Sequence, residues 1–147
     1  IIYGIQNISL KGRLEEIKSG KLKTIAGNNR LIVDGGHNIS ASLSIANWIK
    51  NQNQEVNLIV GMMKDKEHIE FIKSFRNIVN SITLIDIPNQ DGAISKEDLE
   101  SKLNDLNLNI KRSQSIESAI KSLSKNENTI TVCVGSLYLA GEILKLN

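Results

Sequence analysis

Asp34-Gly35-Gly36-His37-Asn38 places a carboxylate, an imidazole and an amide around two glycines, directly after the apolar run Leu31-Ile32-Val33. The glycines allow a tight turn or the close approach of a ligand. The imidazole can donate, accept or carry charge near neutral pH. A second turn of the same kind lies near the end of the chain, where residues 129–134 run into Gly135-Ser136 and a helical pattern from Leu137. A third, Gly61-Met62-Met63-Lys64-Asp65-Lys66, follows the apolar run at residues 56–60. In α/β proteins ligands bind beyond the carboxyl ends of the strands, where strand order reverses. The three turns therefore predict one shared site on one edge of a sheet.

Most of the residues singled out have two readings. Asp34 is a helix cap at a strand end or a ligand contact, and Asn38 is a cap or a ligand. The Ser136 hydroxyl caps the helix behind it, or that helix terminus and hydroxyl together hold a carboxylate. Arg13 is a solvated surface arginine or a planar cation suited to phosphate oxygens. Lys64, Asp65 and Lys66 form a solvated loop or a substrate or interdomain contact. Met62 and Met63 read as packing beneath that loop, and His68 as a solvated residue of the following helix. Nothing surrounds Ser136 as a Ser-His-Asp triad requires. No Cys/His spacing suits zinc and no clustered carboxylates suit magnesium, so no metal is expected on this domain alone.

The elements that must hold these turns alternate along the chain. Strands are predicted over residues 31–33, 56–60, 82–87 and 130–134, with a short edge-like strand at 108–110. Helices are predicted over residues 40–50, with Ala41, Ile45, Trp48 and Ile49 at helical spacing, and over 67–75, with Ile69, Ile72 and Phe75 on one face. Ser95 with Asp98 makes a capping-box-like start for a helix whose Leu99 and Leu103 face inward. Ser115 opens another helix through about residue 123, and the last runs over residues 137–146. Residues 14–17 read as an added strand, and 18–30, with Gly20 and Gly27-Asn28-Asn29, as an exposed hairpin or loop. Strands alternating with helices predict a parallel α/β sheet with helices on both faces.

Composition narrows the class. A chain of 147 residues predicts one domain with a real core. With 40% apolar but only 3% aromatic residues, that core must be built from Ile, Leu, Val and Ala. A formal charge of +2, with no basic run, gives no support to nucleic-acid binding. The single cysteine, Cys133, rules out an intramolecular disulfide and reads as a small buried hydrophobe. No apolar stretch approaches the ~18–20 residues that span a bilayer, and no signal-peptide pattern is present. The chain reads as soluble and cytoplasmic, with no membrane partner. It starts at Ile1-Ile2 rather than at a methionine, which predicts a piece of a longer protein. Ile1, Ile2, Ile5 and Ile8 are expected to form an apolar join to the rest.

Four motifs in order, Gly12-Arg13-Leu14-Glu15, Asp34-Gly35-Gly36-His37-Asn38, Gly61-Met62-Met63-Lys64-Asp65-Lys66 and Val134-Gly135-Ser136-Leu137-Tyr138-Leu139-Ala140-Gly141-Glu142, resemble the C-terminal domain of the folylpolyglutamate synthase / dihydrofolate synthase family, within the broader Mur-ligase group. The resemblance covers nearly the whole chain. It implies a Rossmann-like three-layer α/β/α fold, with a six-stranded, mostly parallel sheet whose first strand, residues 14–17, is antiparallel. It implies that the strands ending at Asp34 and Val134 are neighbours, so that His37 and Ser136 share a cleft. It also divides the chain into residues 1–12, a linker from a missing N-terminal ATPase domain, and 13–147, the glutamate-ligase domain.

Enzymes of that family join L-glutamate to a pteroate or folate carboxylate using ATP, through an acyl phosphate. The resemblance implies ATP contacts at Arg13 and Asp34. It implies a positioning role for His37 toward glutamate or the acyl phosphate, and glutamate binding at Ser136. Asn38, Lys64, Asp65 and Lys66 are further candidates. No G-x-x-x-x-G-K-[ST] sequence is present, so the P-loop and the Mg2+ ligands are assigned to the N-terminal domain, and the isolated chain is expected to be inactive. Ile39 stands where the family commonly has proline, which removes a preset first helical turn. The alternatives are a Mur-type cell-wall amino-acid ligase domain, a non-catalytic nucleotide- or metabolite-binding module, and a degraded fragment that folds without function.

Overall fold

The strands at Val56–Val60 and Ile130–Val134 are buried along their whole length, as central strands covered on both faces must be. The computed structural model describes residues 12–147, so the expected apolar join at Ile1, Ile2, Ile5 and Ile8 lies outside the described residues. In chain order the elements are β1 (Glu15–Ile17), α1 (Lys21–Ala26), β2 (Arg30–Val33), α2 (Ile39–Lys50), β3 (Val56–Val60), α3 (His68–Lys73), β4 (Ser81–Leu84), α4 (Lys96–Lys102), β5 (Ile110–Arg112), α5 (Ile116–Leu123), β6 (Ile130–Val134) and α6 (Leu137–Leu146).

They form a six-stranded sheet in the order β1-β2-β6-β3-β4-β5. Only the β1–β2 pair is antiparallel; β2–β6, β6–β3, β3–β4 and β4–β5 are parallel. Side chains alternate across it, as the period of two requires. Ile32, Val56, Leu58, Val60, Val132 and Val134 enter one apolar layer with Ile45, Phe71 and Leu99 of α2, α3 and α4. Leu31, Val33, Ile59 and Cys133 enter the other with Leu22, Ile120 and Ile143 of α1, α5 and α6. The expected three-layer α/β fold, its antiparallel first strand and its edge strand β5 are all present.

The helix starts obey local chemistry. The side chains of Asn38, Ser95, Ser115 and Ser136 each accept a hydrogen bond from the backbone N–H two or three residues ahead, which satisfies an otherwise orphaned donor.

Four expectations need correction. Residues 18–30 are not an exposed loop: α1 buries Leu22 and Ala26, four apart, against the sheet. The helix expected at residues 67–75 is shorter, and its inward face carries His68, Phe71 and Ile72, while Ile69 is exposed. The strand expected to run to Ile87 ends at Leu84, although Ile85 and Ile87 stay buried below α6. The edge strand expected at 108–110 starts only at Ile110, because its pairing with β4 begins at Ile82↔Ile110.

Candidate functional site

Parallel pairing sets the carboxyl ends of β2, β6 and β3 side by side, with Val33↔Cys133 and Val60↔Val134 in register. The turns that follow are stitched together. The Asp34 N–H donates to the Cys133 carbonyl (2.9 Å), Gly135 N–H to Gly36 (3.2 Å) and Gly61 N–H to Val134 (3.4 Å). Gly135 has φ 116, and a Cβ there would stand 2.5 Å from the Gly61 oxygen. Only glycine fits this crossing of two turns.

Asp34 is buried at the floor. Its Oδ1 accepts the Gly36 N–H (2.7 Å) and its Oδ2 the Leu14 N–H (3.0 Å). Burial holds its carboxyl above the usual aspartate range, against the opposing pull of those two N–H groups and of the Arg13 charge. Cys133, in the strand beside it, is buried and its thiol is pushed up to about 12 by desolvation, which leaves it a core side chain rather than a nucleophile.

Two adjoining clefts open above this floor. The larger, about 700 Å³, is lined by Arg13, Asp34, Gly35, Gly36, His37 and Asn38 with the start of α2. The smaller, about 220 Å³, is lined by His37, Asp65, Lys66, Ser136 and Tyr138. His37 and Leu137 border both. The His37 Nδ1 is buried without a hydrogen-bond partner, an uncommon state for a buried ring nitrogen.

The structure thus brings Arg13, Asp34 and Asn38 to one cleft, Asp65, Lys66 and Ser136 to the other, and His37 to their shared wall. Asn38 is exposed and its side-chain oxygen is occupied by the Ala41 N–H at 2.8 Å. Ser136 Oγ accepts the Tyr138 N–H at 3.0 Å, so capping is one of its roles; its own O–H remains able to donate. Lys64 lines neither cleft, and its N–H is bound to the Gly92 carbonyl at 2.8 Å.

His68 is not solvated: it is 3% exposed, and its Nε2 lies 2.8 Å from the Met63 carbonyl oxygen. Met62 is packed under the loop as expected. Leu137 and Tyr138, 62% and 53% exposed at the cleft mouths, went unassigned in the sequence because a helical pattern claimed them. Among the described residues no three His, Cys, Asp or Glu side chains come together to hold a metal, and no helix is long and apolar enough to cross a membrane.

A mostly parallel sheet whose strand order reverses around β6, with helices on both faces, defines a doubly wound α/β domain. Residues 18–146 match the family model for the dihydrofolate synthetase C-terminal domain, and the chain belongs to that family. It is 22% identical over 159 residues to a probable dihydrofolate synthetase of Schizosaccharomyces pombe, an alignment covering 97% of this chain and 35% of that protein. The fold is shared with folylpolyglutamate synthase of Mycobacterium tuberculosis, solved with ADP and AMPPCP (TM-score 0.77, 18% identity, 92% of this chain, 31% of that one). It is also shared with the bifunctional folylpolyglutamate synthase/dihydrofolate synthase of Yersinia pestis, solved with AMPPNP and Mn ion (TM-score 0.75, 19% identity, 97% of this chain, 32% of that one). The chain spans about a third of the length of these relatives.

Proposed function

We propose that this chain is the ligase-completing C-terminal domain of an enzyme that uses ATP to join L-glutamate to a pteroate or folate carboxylate. The observation that carries the reading is the pair of clefts sharing His37, one floored by glycines and a helix start beside a cation, the other holding Lys66, Ser136 and an unpartnered imidazole nitrogen.

The larger cleft suits the nucleotide. The Gly35-Gly36 turn lets a phosphate approach the backbone at the start of α2, where N–H groups and the helix dipole favour an anion, and the Arg13 guanidinium matches phosphate oxygens. The smaller cleft suits a dianionic amino acid, with Lys66 and the Ser136 O–H as donors to carboxylates. His37 stands where the acyl phosphate and the incoming amine would meet, and it can hold either through Nδ1. Catalysis of this kind rests on positioning and charge neutralisation.

Residues 1–12 then belong to the connection with an N-terminal P-loop domain, and 13–147 form the domain proper. Among the described residues no three His, Cys, Asp or Glu side chains converge; the reading leaves Mg2+ to the N-terminal domain and routes no step through it. On this reading the enzyme works in the cytoplasm, where it would meet ATP and folates.

The test is ATP-dependent incorporation of labelled glutamate into dihydropteroate or tetrahydrofolate, by the chain alone and joined to its P-loop domain. Turnover only in the joined form supports the reading. A folded joined protein that incorporates glutamate into neither folate substrate sinks it and favours a Mur-type substrate or a binding module.

A further inference from the structure

We propose that the Asp91-Gly92 peptide is a site of spontaneous isoaspartate formation, and that the altered backbone there loosens the wall of the smaller cleft. The chemical step needs only the chain and water; its effect on glutamate rests on the reading of that cleft as the glutamate site.

Asp-Gly occurs at residues 34–35 and again at 91–92. In such a pair the glycine backbone nitrogen can attack the aspartate Cγ. An N–Cγ bond forms, and the carboxyl hydroxyl leaves with the amide proton as water, closing a five-membered succinimide. Water then adds to one of the two ring carbonyls. Addition at Cγ breaks the new bond and restores aspartate. Addition at the main-chain carbonyl breaks its bond to nitrogen instead, so that the chain runs through Cγ as isoaspartate, one backbone carbon longer.

The fold treats the two pairs differently. Asp34 is 7% exposed, its oxygens hold the Leu14 and Gly36 N–H groups, and the Gly35 N–H donates to the Gly12 carbonyl. Attack there has to break these bonds first. Asp91 and Gly92 are both exposed, in a turn closed by the Ala93 N–H on the Gln90 carbonyl (3.2 Å). Among the described residues the Gly92 N–H donates to no backbone carbonyl. An exposed turn holding a glycine has the local freedom to bring nitrogen and Cγ together.

The product reaches beyond the turn. The Gly92 carbonyl accepts the Lys64 N–H (2.8 Å), Ala93 bridges to Met63, and the Ile94 N–H donates to the Met62 carbonyl (3.0 Å). An extra backbone carbon directly before Gly92 displaces one side of this short ladder. Met63, Asp65 and Lys66, on the other side, line the smaller cleft.

The test stores the complete protein carrying this chain, beside its Asp91→Ala variant, in warm and mildly acidic buffer before tryptic digestion. Asp91 falls in the peptide 77–96 and Asp34 in 31–50. Labelling by an isoaspartyl methyltransferase is expected on the first peptide and not on the second, and on neither in Asp91→Ala. In urea both peptides of the parent are expected to react. The isoaspartate form, separated chromatographically, should show faster hydrogen exchange at the Lys64 amide. Its KM for glutamate should rise about tenfold, as for one lost hydrogen bond, with the KM for ATP held.

Isoaspartate absent from 77–96, or equally abundant in 31–50 of the folded protein, overturns the proposal. So does an isoaspartate form whose Lys64 exchange is unchanged. Faster exchange at Lys64 with an unmoved KM for glutamate upholds the modification and its effect on the loop, and removes glutamate from the smaller cleft.

Discussion

The Nε2 of His68 and the carbonyl oxygen of Met63 lie 2.8 Å apart, closing the loop that carries Lys64, Asp65 and Lys66 onto the start of α3. The same loop is tied from its other side by Ile94 N–H to the Met62 carbonyl and by Lys64 N–H to Gly92. Two backbone bonds and one imidazole thus fix the wall of the smaller cleft.

His68→Leu leaves the Met63 carbonyl without its partner and is expected to lower stability by about 1–3 kcal/mol. The KM for glutamate of the complete protein should rise with it while the KM for ATP holds. Urea unfolding and the two KM values check this. An equal rise in both KM values would mean a general loosening of the domain and would end the assignment of His68 to this wall.

Gly135→Ala puts a Cβ at φ 116 into the Gly61 carbonyl. Backbone strain and overpacking together predict a loss of at least about 2 kcal/mol. The variant also separates Gly135 N–H from Gly36, so ligand binding at both clefts should weaken. A urea midpoint equal to that of the parent chain would contradict the close approach of these turns.

Asn57 lies in the middle of the sheet, where its Oδ1 accepts from Ser81 Oγ (2.7 Å) and Asn80 Nδ2 (3.2 Å) while its Nδ2 has no partner. Asn57→Val strands the Ser81 hydroxyl and is expected to cost about 1–3 kcal/mol. Adding Ser81→Ala removes both partners and should return stability to within about 1 kcal/mol of the parent. Chemical unfolding of the single and double variants measures the coupling, and strictly additive losses would disprove it.

Asp34 and Glu16 give stability opposite pH dependences. Burial raises the folded pKa of Asp34 above its ordinary 3.8. Its contribution is therefore fully present below 3.8 and is lost as pH rises through the higher folded value. The hydrogen bond from Arg30 lowers Glu16 below its ordinary 4.5. Its contribution is present above 4.5 and is lost as pH falls through the lower folded value. Asp34→Asn should therefore be more damaging in acid than near neutrality, and Glu16→Gln the reverse. Unfolding curves of both variants across that range decide it, and parallel pH dependences would refute the assignment.

Local chemistry made much of the frame legible. Strands β3 and β6 and helix α6 fall where apolar periodicity placed them, because a buried strand needs an unbroken apolar run and a docked helix an apolar stripe. The caps at Ser95 and Ser115 were equally readable, since a hydroxyl serves an N–H three residues ahead. The four motifs located the site on one edge, and their order carried the resemblance. Leu22 and Ala26, with Gly27 behind them, were the available signal for α1, but neighbouring glycines outweighed a pattern of only two buried positions.

What the sequence by itself determined, then, was the alternation of elements, the edge that bears the turns and the residue types found there. The tertiary structure decided which groups are already engaged. The start of α1 is held by Asn147, whose Oδ1 accepts the Leu22 N–H from 125 positions away. The Asp34 carboxylate is engaged by Leu14, 20 positions away. His68 is buried with its Nε2 at the carbonyl oxygen of Met63 in the loop before it. Periodicity reports only the environment that a residue shares with its near neighbours along the chain. Hydrogen-bond partners are chosen by the packing of distant segments, and that choice exists only once the sheet has closed.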